Sequence, residues 1–262
     1  MGIPYYQVNA FTKSLFGGNP AGVCPLNSWL ADEVLQAIAA ENNLSETAYF
    51  VQRGDKYELR WFTPKLEVDL CGHATLASAF VILNYLDKSV DNVLFETKSG
   101  LLTVQRQDEL MVMDFPAWQT NRCSAPEALL KGLGGKPKEV LRSSRDYLAV
   151  YDSEEAVKSL KPDMKLLEEV DCLGIIATAP GQKCDFVSRF FAPRAGIPED
   201  PVTGSAHCTL IPYWSERLNK QKLHALQLSQ RQGELFCQLL GGRVSIAGCA
   251  ITYLKGTINL SK

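Results

Sequence analysis

One block of sequence occurs twice in this chain, at a spacing close to half of its 262 residues. The matches are RWFTP at 60–64 with RFFAP at 189–193, GHAT at 72–75 with GSAH at 204–207, and Gly100 with Gly233. A single match of this kind can arise by coincidence among common residue types. Three matches in the same order, at nearly constant spacing, favour two copies of one structural unit. Two such copies predict a site in the cleft between them.

The composition is that of a soluble globular enzyme-sized protein, with 46% hydrophobic and 21% charged residues. A formal net charge of −2 gives no electrostatic footprint for nucleic acid or an anionic membrane surface. No apolar run approaches the roughly 20 residues needed to span a bilayer. The N-terminus lacks the pattern of a secretory signal, and none of the eight cysteines forms a Cys-x-x-Cys pair. We therefore expect reduced thiols and a cytoplasmic location.

A long uncharged segment occupies the same place in each copy. Residues 74–86 contain no charge, and a helix that is apolar on all sides belongs inside a domain. The segment after Gly204 is uncharged as far as Glu216, although Pro212 should kink or shorten a helix there. Alternating apolar segments before and after each predict strands, so we expect a sheet curled around each buried helix.

These elements predict two lobes. The N-terminal lobe comprises residues 1–116, with the last strand at 255–262 as a candidate to complete it. The C-terminal lobe comprises residues 127–254. The polar, proline-flanked segment from Pro116 to Pro126 is the predicted connector.

In both copies a glycine stands where a loop meets the buried helix. Small residues there leave the first backbone N–H groups free, and the helix dipole favours an anion at that point. Small residues that merely cap a helix, without binding an anion, would give the same sequence pattern. An anion site is favoured because polar side chains crowd both turns: Asp69, Cys71 and His73 in one, and Glu199, Asp200, Thr203, Ser205 and His207 in the other.

Five sequence blocks together resemble the PhzF-like family of phenazine-biosynthesis proteins. They are NPAGV at 19–23, LSETA at 44–48, FTP at 62–64, CGHAT at 71–75 and EDPVTGSA at 199–206. The resemblance extends over nearly the whole chain. It implies an α+β fold like that of diaminopimelate epimerase, with two pseudo-symmetric lobes, each a mixed β-sheet rolled into a barrel around a central helix. It also implies a homodimer and an isomerase that works without a cofactor or a metal.

The same resemblance assigns roles to individual residues. Glu46 matches the family's acid–base glutamate, and His73 and Asp200 match the groups that orient substrate and pass protons. A carboxyl group with this task needs a dry environment, which Leu44 and the apolar residues after Thr47 could supply. The residues expected to bind substrate are Asn19, Cys71, Gly72, Gly204 and Ser205. The expected reaction moves a proton on a small carboxylate-bearing molecule.

Two other functions remain open. One is an amino-acid racemase or epimerase, but a symmetric two-thiol mechanism lacks its second thiol, because residues 199–205 contain no cysteine. The other is a binding or regulatory protein that kept the fold without turnover; the presence of Glu46, His73 and Asp200 argues against it. A zinc site built from Cys71, His73, His207 and Cys208 fits no standard spacing. A Cys71–His73 hydrolase pair is disfavoured because residues so close in sequence rarely align as nucleophile and base.

Overall fold

The computed structural model describes residues 2–260. Its strands are β1 (Gly2–Ala10), β2 (Asn19–Leu26), β3 (Glu46–Arg53), β4 (Lys56–Phe62), β5 (Glu67–Val68), β6 (Asn92–Thr97), β7 (Gly100–Gln107), β8 (Leu110–Pro116), β9 (Asn121–Arg122), β10 (Glu139–Arg142), β11 (Asp146–Val150), β12 (Gly174–Pro180), β13 (Phe186–Phe191), β14 (Lys222–Gln227), β15 (Gly233–Leu240), β16 (Arg243–Gly248) and β17 (Ala250–Asn259). Its α-helices are α1 (Asp32–Asn42), α2 (Gly72–Val81), α3 (Glu127–Leu133), α4 (Glu154–Lys158), α5 (Met164–Glu168) and α6 (Gly204–Leu218). No helix within these residues has the length and apolarity to span a membrane.

The chain forms two compact units, one from residues 2–114 with 247–260 and the other from residues 115–246. These bounds differ from the lobe limits expected from the sequence in two places. Strand β17 begins at Ala250 rather than near 255 and pairs along its length with β1, so it belongs as a whole to the first unit. The expected connector belongs to the second unit, because β9 within it pairs with β10.

The first unit is a mixed sheet. Strand β1 pairs antiparallel with β17 and with β2, β2 runs parallel to β3, β3 is antiparallel to β4, and β4 runs parallel to β6. The antiparallel strands β7 and β8 continue the sheet from β6.

The second unit repeats this order of pairings. Strand β10 is antiparallel to β11, β11 parallel to β12, β12 antiparallel to β13, β13 parallel to β14, and β14 antiparallel to β15. The two units therefore share one topology, and the duplication inferred from the sequence is confirmed.

The repeated Arg-x-Phe segment forms the same structure in both units. Arg60 on β4 binds both carboxylate oxygens of Glu67 at 2.7 and 2.9 Å, and its guanidinium lies 5.1 Å from the ring centre of Phe62. Arg189 on β13 binds Glu199 at the same two distances and lies 5.0 Å from the ring of Phe191. Such two-point pairs fix the loop that leads into the central helix of each unit.

Helix α2 is the central helix of the first unit. It contacts β1, β2, β3, β7 and β17, and nearly all of its side chains are buried, as its uncharged sequence predicts. The predicted helix over 74–86 changes character at Ile82, where it becomes a π-helical turn (Ile82–Leu86). The Asp87 N–H closes that turn by donating to the Ile82 carbonyl.

Helix α6 is the buried helix of the second unit, and Pro212 does not shorten it. The helix continues for 15 residues, to Leu218. Proline has no N–H to donate to the carbonyl four residues earlier, which is that of Cys208. The Trp118 N–H donates to that carbonyl instead, at 2.9 Å. The expectation that Pro212 would shorten the helix was wrong because a residue distant in sequence replaces the missing donor.

Candidate active site

Four of the predicted site residues meet inside the first unit. Asn19 and Glu46 begin the parallel strands β2 and β3, in which Ala21 is in register with Glu46. Cys71 caps α2, and His73 lies in its first turn. The helix packs against both strands, and the contacts of His73 with Asn19 and Glu46 place its start beside theirs.

His73 lies at the centre of this group. Its Nε2 is 3.2 Å from Glu46 Oε2, close but not aligned as a hydrogen bond. Its Nδ1 is 3.2 Å from the Asn19 side-chain amide nitrogen and 3.5 Å from Cys71 Sγ. The four residues are between 0% and 9% exposed. The group is therefore a nearly dry cluster of one carboxyl, one imidazole, one thiol and one amide.

The imidazole of His73 is neutral near neutral pH. Burial lowers its pKa to about 3, although the carbonyl of Pro20 partly offsets this effect. With the Asn19 amide donating to Nδ1, the ring proton is assigned to Nε2, the nitrogen nearer to Glu46. Glu46 thus faces a neutral imidazole nitrogen rather than an imidazolium.

The start of α2 also offers backbone donors. Cys71 has an extended backbone, and its side chain makes no capping hydrogen bond to the first turn. The N–H groups of that turn, beginning at Gly72, have no partner within the helix itself. Together with the helix dipole they favour negative charge near Cys71 and His73.

The remaining predicted residues lie around the start of α6 in the second unit. Asp200 lies in the turn before the helix, Thr203 caps it, and Gly204 and Ser205 are its first two residues. The Thr203 hydroxyl donates to Asp200 Oδ2 at 2.5 Å. The structure therefore gathers the predicted residues into two groups, one in each unit.

A residue that sequence reasoning missed fixes this second turn. Gln227, fully buried at the end of β14, donates from Nε2 to the Asp200 carbonyl at 2.8 Å and to Thr203 Oγ1 at 3.1 Å. Its Oε1 accepts the Thr203 N–H at 2.8 Å. A sequence signal did exist: Leu223 and Ala225 set the buried face of β14, and Gln227 continues it in a position where a polar side chain needs partners.

His207, which was one of the polar residues noted beside this turn, is a core histidine. It is fully buried, its Nδ1 lies 2.8 Å from the Thr203 carbonyl, and its ring lies 5.9 Å from that of Phe186. Burial lowers its pKa to about 4, so it is neutral near neutral pH.

A potential metal-ligand group coincides with the first cluster. Glu46, Cys71 and His73 each offer one ligand atom, and these atoms lie within 4.8 Å of one another. It is the one such group found among residues 2–260.

Known proteins resemble the chain over its full length. The model of the phenazine biosynthesis-like protein family (PhzC-PhzF) matches residues 8–256. An uncharacterized isomerase of Pseudomonas aeruginosa is 51% identical over 260 residues, covering 99% of this chain and 100% of that protein. A PhzF-family crystal structure from Enterococcus faecalis has 46% identity and a TM-score of 0.97, covering 99% and 100% of the two chains.

More distant structures share the fold alone. A probable proline racemase from Agrobacterium radiobacter has 11% identity and a TM-score of 0.63, covering 99% of this chain and 93% of its own. The expected α+β fold of the diaminopimelate epimerase type is confirmed by these likenesses and by the repeated mixed sheet.

Proposed function

Because the chain belongs to the phenazine biosynthesis-like protein family, we propose that it is an isomerase that shifts a proton on a small carboxylate-bearing substrate. The proton leaves an activated carbon and returns at another position, without a cofactor. The close relatives named as isomerases support the reaction class.

The observation that carries the proposal is the buried contact between Glu46 and His73. A carboxyl group that removes a proton from carbon works best where water is excluded, and Glu46 is 9% exposed. The neutral His73 ring, 3.2 Å away, can donate or accept a proton without first changing charge. In this proposal Glu46 is the acid–base residue, and His73 orients the substrate and passes the proton.

The helix starts are proposed to hold negative charge during the reaction. The N–H groups of the first turn of α2, beginning at Gly72, favour a substrate carboxylate or a developing enolate-like oxygen. Asn19 and Cys71 border the same space and are proposed to contact the substrate. Gly204 and Ser205 offer the same kind of donors at the start of α6, and Asp200 is proposed as a further proton carrier.

A second candidate reaction is inversion at one carbon. It is favoured by the position of Cys71 Sγ, 3.5 Å from His73 Nδ1, where a thiol could deliver or remove a proton. The absence of a cysteine at 199–205 argues against a symmetric pair of thiols. The two reactions differ in their products, since inversion yields a stereoisomer and the proposed shift yields a positional isomer.

The experiment that tests the proposal combines a ligand screen with isotope exchange. Small carboxylic acids are first screened by thermal shift, because a ligand bound by the native state raises the unfolding midpoint. Acids that stabilise the protein are then incubated with it in deuterium oxide and followed by NMR. The proposal expects deuterium at carbon in at least one of them. Stabilising acids that never exchange would instead indicate a binding protein.

A further inference from the structure

The cluster around His73 has the chemistry of a metal site as well as that of a proton-transfer site. Cys71 supplies a thiol, His73 an imidazole and Glu46 a carboxyl group, and zinc sites in proteins are built from these three ligand types. Cys71, His73 and Glu46 are 7%, 5% and 9% exposed, so each ligand is held almost entirely by protein. We propose that these three residues bind a single thiophilic divalent cation of the zinc class.

The spacing of the ligand atoms supports this inference. The three atoms lie within 4.8 Å of one another, and the Cys71 Sγ–His73 Nδ1 and Glu46 Oε2–His73 Nε2 distances are 3.5 and 3.2 Å. Zinc bonds of about 2.0–2.3 Å in tetrahedral geometry place neighbouring ligand atoms at separations that the Glu46 Oε2–His73 Nε2 pair already has. Because a single ion binds only one imidazole nitrogen, the Cys71 side chain, whose Sγ lies beside Nδ1, must rotate towards Nε2 to join the ion. Nε2 is the nitrogen that faces the carboxylate.

The second imidazole nitrogen already has partners of the kind that metal-bound histidines use. The Asn19 side chain lies 3.2 Å from Nδ1, and the carbonyl of Pro20 also faces the ring. When Nε2 binds a metal, Nδ1–H must donate, and the Asn19 amide oxygen or the Pro20 carbonyl can accept. The imidazole ring is therefore held in place both for proton transfer and for metal binding.

Charge balance favours a doubly charged ion. A thiolate and a carboxylate together neutralise a divalent cation, which limits the cost of burying it. Binding releases the thiol proton to solvent and moves the imidazole proton of His73 from Nε2 to Nδ1, so one proton leaves the site overall. Three protein ligands leave one position open for water or a substrate carboxylate.

The ion would inhibit the enzyme if the proposed function is correct, because it binds the Glu46 oxygen and the His73 nitrogen that transfer the proton in that reaction. That consequence rests on the proposed function, whereas metal binding itself does not. The test therefore measures binding without any substrate.

Cadmium is a suitable probe because cadmium–thiolate bonds absorb in the ultraviolet. Purified, metal-free protein is titrated with Cd²⁺, and Zn²⁺ is then added in competition. We expect a charge-transfer band that saturates at one ion per chain and is displaced by Zn²⁺. Cys71→Ser should abolish the band. Cys123→Ser, which removes a half-buried cysteine outside the group, should leave it unchanged.

A second variant guards against misfolding of the first. Glu46→Gln keeps the thiol and should retain a band that saturates only at higher cadmium concentration. Circular dichroism verifies the fold of each variant. A wild-type protein without the band, or a Cys71→Ser variant that keeps it, would overturn the proposal.

Discussion

Nε2 of His73 lies 3.2 Å from Oε2 of Glu46, although one residue lies in the first turn of a helix and the other begins a strand. The contact joins a neutral imidazole to a carboxyl group in a nearly dry environment. This arrangement has consequences for stability as well as for catalysis.

His73 should make the protein less stable in acid. Its pKa is about 3 in the native state and about 6.5 when exposed, so the unfolded chain binds the proton first as pH falls. The contribution of neutral His73 to the free energy of unfolding is complete above pH 6.5. It is lost progressively towards pH 3, at about 1.4 kcal/mol per pH unit. Urea denaturation from pH 7 to pH 4 should show that the free energy of unfolding falls less steeply with pH for His73→Gln than for the wild-type protein. An unchanged slope would mean that His73 already titrates normally in the native state.

Asp146 should act in the opposite direction. It is fully buried at the start of β11, and burial raises its pKa to about 6, against smaller opposing effects of Arg145 and the Gly174 amide. The native state therefore holds this proton more tightly, and stability falls as pH rises from 3.8 through 6. Asp146→Asn should stabilise the protein at pH 8 by an amount on the order of 3 kcal/mol, with little effect at pH 4. The exposed, ion-paired Asp152 provides the control, since Asp152→Asn should lack this pH dependence.

Gln227 should be essential to the turn that carries Asp200. Gln227→Leu keeps the bulk but removes partners from the buried Thr203 N–H and the Asp200 carbonyl. We expect a loss of about 2–4 kcal/mol in the free energy of unfolding, because unsatisfied buried groups keep their full desolvation cost. The exposed neighbour Gln230, replaced in the same way, should change it by no more than about 0.5 kcal/mol. Equal losses in the two variants would argue that the three hydrogen bonds contribute little.

Of the two repeated arginines, Arg189 should contribute more to the stability of the fold than Arg60. Arg189 is 11% exposed and also donates to the carbonyls of Val157 and Leu160, whereas the Arg60 side chain is 21% exposed. Arg189→Ala should therefore cost about 3–5 kcal/mol and more than Arg60→Ala, since it leaves Glu199 and two carbonyls without their donor. Thermal unfolding of the two variants measures the difference directly.

The duplication was readable from the sequence because each copy keeps its Arg-x-Phe segment and its uncharged helix. Glu46 stood out only through the family's motifs, since a single sequence offers no other reason to prefer it among 29 acidic residues. His73 and Asp200 also stood out as polar residues in the turns before the two uncharged helices. The partners could not be predicted. Glu199 for Arg189, Gln227 for Thr203 and Trp118 for the Cys208 carbonyl each depend on a long-range approach that local periodicity does not encode.

The most direct test of the proposed chemistry compares Glu46→Gln with Glu41→Gln in the deuterium-exchange assay, using an acid that the wild-type protein labels. Glu41 lies exposed on α1 and serves as the matched control. Glu41→Gln should exchange at the wild-type rate, and Glu46→Gln should be slower by about 10²–10⁴-fold while it still binds the acid. A folded Glu46→Gln protein that exchanges deuterium at the wild-type rate would contradict the assignment of Glu46 as the acid–base residue.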